Sequence, residues 1–137
     1  ASPKLYTMHW TVMVDFWGRQ LLAHNSGLDE RLLVHALANL FDLGDTPPGD
    51  CLESFHYPEP DEAHPVSDAT QRRRICSAVR QAGGQMAVTP LVHGYGPEDD
   101  FLRRFELVAD SDVDGAWINR YGYLSDAKLD GIGRLWK

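Results

Sequence analysis

The chain has 137 residues, 43% hydrophobic and 24% charged, which is enough apolar material for one folded core and too much for a disordered segment. Thirteen Lys and Arg stand against twenty Asp and Glu, a formal charge of −7, so the chain repels a phosphate backbone and nucleic acid is not an expected partner. No apolar run approaches the roughly 20 residues of a membrane-spanning helix, and no membrane partner is expected either. The N-terminal Ala-Ser-Pro-Lys has neither an initiator Met nor a signal-peptide core, as expected of a processed or truncated end. Cys51 and Cys76 are too few for a disulfide scaffold and have no zinc-ligand spacing.

In chain order, Leu5 to His9 reads as a strand. Trp10, Met13, Val14, Trp17 and Leu21 then fall at helical spacing, although Thr11 to Trp17 is also rich in β-forming residues. Asn25-Ser26-Gly27 breaks the chain. A helix follows over Leu28 to Leu43, with Leu33, Leu37, Leu40 and Phe41 as its buried stripe and Asp29 and Glu30 in its first turn. Asp45 to Asp50 is a loop, Cys51 to Tyr57 a strand, and Pro58 to Pro65 a Pro-rich acidic loop. Ser67-Asp68 caps a helix reaching about Ala82, with Ile75, Cys76 and Val79 on one face and Cys76 expected as an inert core thiol.

After the breaker Gly83-Gly84, Gln85 to His93 reads as a strand ended by Gly94-Tyr95-Gly96-Pro97. Pro97 and the acids Glu98, Asp99 and Asp100 mark a helix start, and Phe101, Leu102, Phe105, Leu107, Val108 and Ala109 supply its apolar stripe. Val113 to Asn119 is the last strand. Ser125-Asp126 caps a final helix carrying Ala127, Leu129, Ile132 and Leu135, weakened by Gly131 and Gly133.

The order β-α-α, β-α, β-α, β-α predicts an α/β fold with a parallel sheet and covering helices. Four such units in this length make half or part of an eight-fold β/α (TIM) barrel, whose usual size is about 250 residues. The alternative is a small open parallel sheet with flanking helices. Residues 1–137 are thus expected to be a single α/β domain or the C-terminal half of a barrel. Open sheet edges in an incomplete barrel need covering, which predicts a missing N-terminal half, a partner chain or a homo-oligomer.

Ligands in parallel α/β folds sit beyond the carboxyl ends of the strands. Strand alternation puts Leu52, Ser54 and His56 on one face, and Ala87, Thr89, Leu91 and His93 on another. Gly115, Trp117, Asn119 and Tyr121 alternate in the same way, and Thr7 and His9 match them in the first strand. His9, His56, His93 and Asn119 are therefore expected to face the ligand together. Each such His taken singly is more often a structural residue; it is the convergence that points to a site.

Glu59 stands between two prolines, with Asp61 close behind it. A carboxylate on so restricted a backbone suits the acid/base chemistry of glycoside hydrolysis, which needs a carboxyl pair. Trp10, Tyr57, Tyr95, Trp117, Tyr121 and Tyr123 supply rings that stack on sugar faces, although Trp117 is equally suited to fill a core. His9, His56, Asp61, His64 and His93 are of metal-ligand type but have no diagnostic spacing, so no metal and no cofactor is expected. A Gly-rich phosphate loop and a G-x-S-x-G nucleophile elbow are both missing from the sequence.

The run Val88-Thr-Pro-Leu-Val-His-Gly-Tyr-Gly-Pro, a helix, and then Val113-Asp-Gly-Ala-Trp-Ile-Asn-Arg-Tyr-Gly-Tyr-Leu resembles the closing βα units of glycoside-hydrolase-like β/α barrels over about the last ninety residues. The resemblance implies a carbohydrate-active hydrolase segment acting on carbohydrate or another small polar substrate. It implies that His93, Tyr95, Asn119 and Tyr121 contact substrate and that Glu59 serves as acid/base. Such barrels commonly split their catalytic acids between middle and late strands, so a partner carboxylate is expected outside this chain. The reading from another class is a non-catalytic sugar-binding or assembly module; a third is a metal-dependent hydrolase.

Overall fold

Helix, not alternating strand and helix, dominates the chain. The computed structural model describes residues 1–3, 8–44, 49–64 and 67–136. Among these residues it contains α1 (Met8–His24), α2 (Glu30–Leu40), α3 (Asp68–Ala82), β1 (Leu91–His93), α4 (Glu98–Ala109), β2 (Trp117–Asn119) and α5 (Asp126–Leu135), with short 3-10 turns at Leu52–Ser54 and Tyr121–Tyr123. A half barrel of four parallel βα units is therefore incorrect. Among the described residues the sheet has two strands, and most of those residues are helical.

The first two expected strands are the ones that fail. Residues 5–7 lie outside the described residues, and Met8 and His9 open α1. Cys51 to Tyr57 forms a 3-10 turn and extended coil. Its buried residues explain this: Leu52 and Phe55 are three apart, the spacing of a tight turn, where a half-buried strand alternates every second residue. The Leu52 N–H is taken by Glu30 Oε1 at 2.8 Å, so this segment is tied to α2 by a side chain and not to a neighbouring strand.

The helices follow their local chemistry closely. Asp29 caps α2 by accepting from the Leu32 N–H, Ser67 caps α3 through the Thr70 N–H, and Ser125 caps α5 through the Lys128 N–H. Gly83 ends α3 in the left-handed conformation at φ 53°, which a residue with a Cβ adopts only at a cost. Acidic residues fill the first turn of α4, where they complement the helix dipole.

β1 and β2 run parallel, with Leu91 paired to Trp117, Val92 to Ile118 and His93 to Asn119, and α4 forms the crossover between them. Residues 1–3 lie along the other edge of the β1 segment. The Thr89 and Leu91 N–H groups donate to the carbonyls of Ala1 and Pro3 at 2.7 and 2.9 Å, and the Ala1 ammonium bonds the Ala87 carbonyl. The regular ladder is short for identifiable reasons. Pro90 has no N–H to donate, and the Val88 N–H goes to the Asp114 carboxylate at 2.8 Å.

Two apolar clusters hold the chain. One joins α1, α2 and the first 3-10 turn through Val14, Val34, Leu37, Ala38, Leu43, Leu52 and Phe55. The other joins α3, β1 and α4 through Ile75, Val92, Phe101, Phe105, Leu107 and Val108, with Ile132 and Leu135 of α5 packed against it. Val88, Pro90 and Val92 are buried. The alternate Leu91 is half-buried and its partner Trp117 is 63% exposed, so Trp117 fills no core. Cys76 is likewise no core thiol: it is exposed and lines a cleft of about 430 Å³ with Arg72 and Arg80.

Candidate functional site beyond the strand ends

The chain leaves β1 through Gly94-Tyr95-Gly96 and leaves β2 through Arg120 into the Tyr121–Tyr123 turn. Both exits are held from below by buried cations. Arg104, 2% exposed, donates from Nη1 to the His93 carbonyl at 2.8 Å and from Nη2 to the Tyr95 carbonyl at 2.7 Å. Lys128 Nζ donates to the carbonyls of Gly94 (3.0 Å), Gly96 (2.7 Å) and Tyr123 (3.0 Å). One ammonium thus ties the turn after β1 to the turn after β2. Burial is the main force pushing both the Arg104 and Lys128 pKa values down, and the carbonyls and Asp100 give these charges the partners that such burial demands.

The two glycines are required by close approach. A Cβ on Gly94 would meet the Asn119 carbonyl at 2.9 Å. Gly96 has φ 96°, and a Cβ there would meet Asp100 Oδ2 at 3.3 Å and His64 Nδ1 at 3.4 Å.

His64 and Asp100 anchor the acidic loop to the start of α4. Asp100 Oδ2 accepts from His64 Nδ1 at 3.2 Å, from the His64 backbone N–H at 3.3 Å and from Arg104 Nε at 2.8 Å, while Oδ1 accepts from Arg103 at 2.7 Å. Burial acts to raise the Asp100 carboxyl. The hydrogen bond from His64 and the Arg104 guanidinium outweigh it, so the group lies below the usual carboxylate range. Burial likewise lowers the His64 pKa, against the opposing pull of Asp100. Burial thus favours the neutral imidazole, whose Nδ1–H donates to the carboxylate. His64 Nε2 is buried and makes no hydrogen bond among the described residues.

Above this support lies a group of tyrosines. The Tyr95 ring is buried and packs edge-on against Tyr123 (centroids 4.7 Å), Tyr57 (5.8 Å) and His93 (5.7 Å). Its phenol is raised above its ordinary value, first by burial and then by the neighbouring Tyr123, Glu59, Tyr57 and Asp61. Glu59 and Asp61 of the acidic loop thus bear on this ring. Tyr57 and Tyr123 are partly exposed, and Tyr121 is 77% exposed.

The expected site residues separate accordingly. His93, Tyr95, Asn119 and Tyr121 gather at the two strand ends, with Glu59 and Asp61 exposed on the adjoining loop. Asn119 Oδ1 is buried with no hydrogen-bond partner among the described residues. His56 does not join the strand ends on a strand of its own. It is exposed and pairs with Glu62 Oε2 at 3.1 Å, and the same oxygen accepts the Glu59 N–H at 2.8 Å. That backbone bond, reinforced by His56, holds the Glu62 carboxyl below its ordinary value. His9 sits in the first turn of α1, and its side chain, like that of Trp10, lies outside the described residues. Among the described residues no three His, Cys, Asp or Glu side chains converge as metal ligands.

Sequence reasoning overlooked Arg104 and Lys128. Their signal was a cation inside an apolar helical stripe: Arg104 lies with Phe101 and Val108 on α4, and Lys128 with Ile132 and Leu135 on α5. Comparison of the chain with family models, curated proteins and solved structures yields no match.

Proposed function

We propose that the surface beyond the ends of β1 and β2 binds carbohydrate, as a recognition site and not a bond-cleaving one. The observation that carries this reading is the tyrosine group: Tyr57 and Tyr123 pack on the buried Tyr95 while keeping exposed ring surface, and Tyr121, in the same turn as Tyr123, is exposed. Such rings receive the C–H face of a sugar, and their hydroxyls reach its polar edge. Glu59, Asp61 and the Asn119 amide supply hydrogen-bonding groups at the same strand ends. The Tyr95 phenol, raised by its surroundings, keeps its proton and can donate.

Recognition fits this surface better than hydrolysis. Glycoside cleavage asks for one carboxyl that keeps its proton near neutral pH, which burial or a close like charge provides. Glu59 and Asp61 are both exposed, and Glu62 is committed to His56 and to the Glu59 backbone.

Calorimetric titration with a panel of neutral oligosaccharides tests the proposal. Saturable binding is expected for at least one member, and Tyr121→Ala is expected to weaken it at least about tenfold, the loss of one stacked ring. Binding unchanged in Tyr121→Ala, or no binding across the panel at millimolar sugar, would refute it.

A further inference from the structure

We infer that the cleft between α3 and the end of α4 binds a small apolar zwitterion, of amino-acid or dipeptide size. The cleft holds about 430 Å³, within the range of roughly 300–1,000 Å³ that small-molecule sites occupy. Arg72, Cys76 and Arg80 follow one another at intervals of about one turn along α3 and form its exposed rim. Ile75 and Val79, which belong to the second apolar cluster, form its floor. Asp110 and Asp112, where the chain leaves α4, form the other wall.

The charges decide the occupant. Two cations stand on one wall and two anions on the other, yet none of these four side chains makes an ion pair or hydrogen bond among the described residues. Neighbouring arginines behave otherwise: Arg73 and Arg74 both pair with Asp42, and Arg103 pairs with Asp68 and Asp100. The cleft thus keeps opposite charges apart across an apolar floor. A simple anion is opposed by the aspartates, and a simple cation by the arginines. A ligand carrying both charges on an apolar body suits all three surfaces at once. Its carboxylate pairs with a guanidinium, whose planar fork matches that group. Its ammonium goes to the aspartates, where the negative end of the α4 dipole adds to their charge. The inference is independent of the carbohydrate reading, because no residue of the strand-end surface lines this cleft.

Cys76, between the two arginines, reports occupancy, and Cys51, the other exposed thiol, lies outside the cleft and serves as control. The test follows alkylation of both thiols by iodoacetamide, read by peptide mass spectrometry, with and without the dipeptide leucyl-leucine. Half-maximal protection of Cys76 is expected below about 10 mM dipeptide, with the Cys51 rate unchanged. N-acetyl-leucyl-leucine lacks the ammonium and leucyl-leucine amide lacks the carboxylate. Each is expected to need at least about tenfold more for the same protection, the loss of one charge-assisted pairing. The chain itself is unaltered throughout, so folding does not enter the comparison. Cys76 alkylation unchanged at about 10 mM dipeptide, equal protection of Cys51, or protection by either blocked dipeptide as strong as by the parent would overturn the inference.

Discussion

Arg104 reaches back one turn of α4 to Asp100, Nε to Oδ2 at 2.8 Å, with the two side chains only 2% and 5% exposed. The pair does more than satisfy itself. Asp100 extends outward to His64 and so fixes the acidic loop, and Arg104 extends inward to the His93 and Tyr95 carbonyls and so fixes the turn after β1.

Arg104→Met is accordingly expected to take from the buried Asp100 carboxylate its buried cationic partner and from the His93 and Tyr95 carbonyls the guanidinium donor they share. Removing one partner of a buried ion pair costs about 3–5 kcal/mol, a large share of a small domain's stability. Arg104→Lys is expected to recover little of it, because an ammonium cannot present the guanidinium's fork to three separate acceptors. Urea unfolding followed by circular dichroism measures both. A loss below about 1 kcal/mol in Arg104→Met would contradict this account of the site.

His64 makes stability depend on pH with a definite sign. Its pKa in the folded chain is lowered, chiefly by burial, so between that value and the unfolded value of about 6.5 the unfolded chain binds more protons. Stability is therefore full above about pH 6.5 and falls as pH drops through the folded His64 pKa. Asp100, lowered below its ordinary value, adds a second loss at more acidic pH, as its carboxylate takes up a proton. Melting curves from pH 8 to pH 5 are expected to show the first decline, and His64→Gln is expected to flatten it.

Two glycines are expected to respond to alanine with opposite signs. Gly96→Ala places a Cβ at φ 96° against Asp100 and His64 and is expected to cost about 1–3 kcal/mol. Gly133 lies inside α5, where an added Cβ would have no neighbour within 4 Å, and Gly133→Ala is expected to stabilise by about 0.5–1 kcal/mol. Thermal melts of the two variants side by side would expose an error in either assignment.

The sequence was most legible where local chemistry decides the outcome. Asp29, Ser67 and Ser125 each cap the helix that their position announces, and Gly83 closes α3. The alternation that set His93 and Asn119 at paired strand ends also appears in the parallel register. The sheet was not legible, because strand formation depends on a neighbour that no local pattern reveals. Cys51 to Tyr57 has the composition of a strand, yet its backbone is claimed by Glu30. Ala1 to Pro3 has no strand character and still lies along β1. Arg104 and Lys128 escaped notice for a related reason: a cation in an apolar stripe reads as an interruption until the carbonyls it serves are seen.

The central claim is that ligand is received on the tyrosines at the strand ends, and residue-resolved NMR during an oligosaccharide titration tests it most directly. Ring signals of Tyr57, Tyr121 and Tyr123 are expected to move together and saturate at one sugar concentration, while the Trp17 indole on α1 stays in place. Tyrosine signals that remain fixed while shifts appear elsewhere on the chain would contradict the claim.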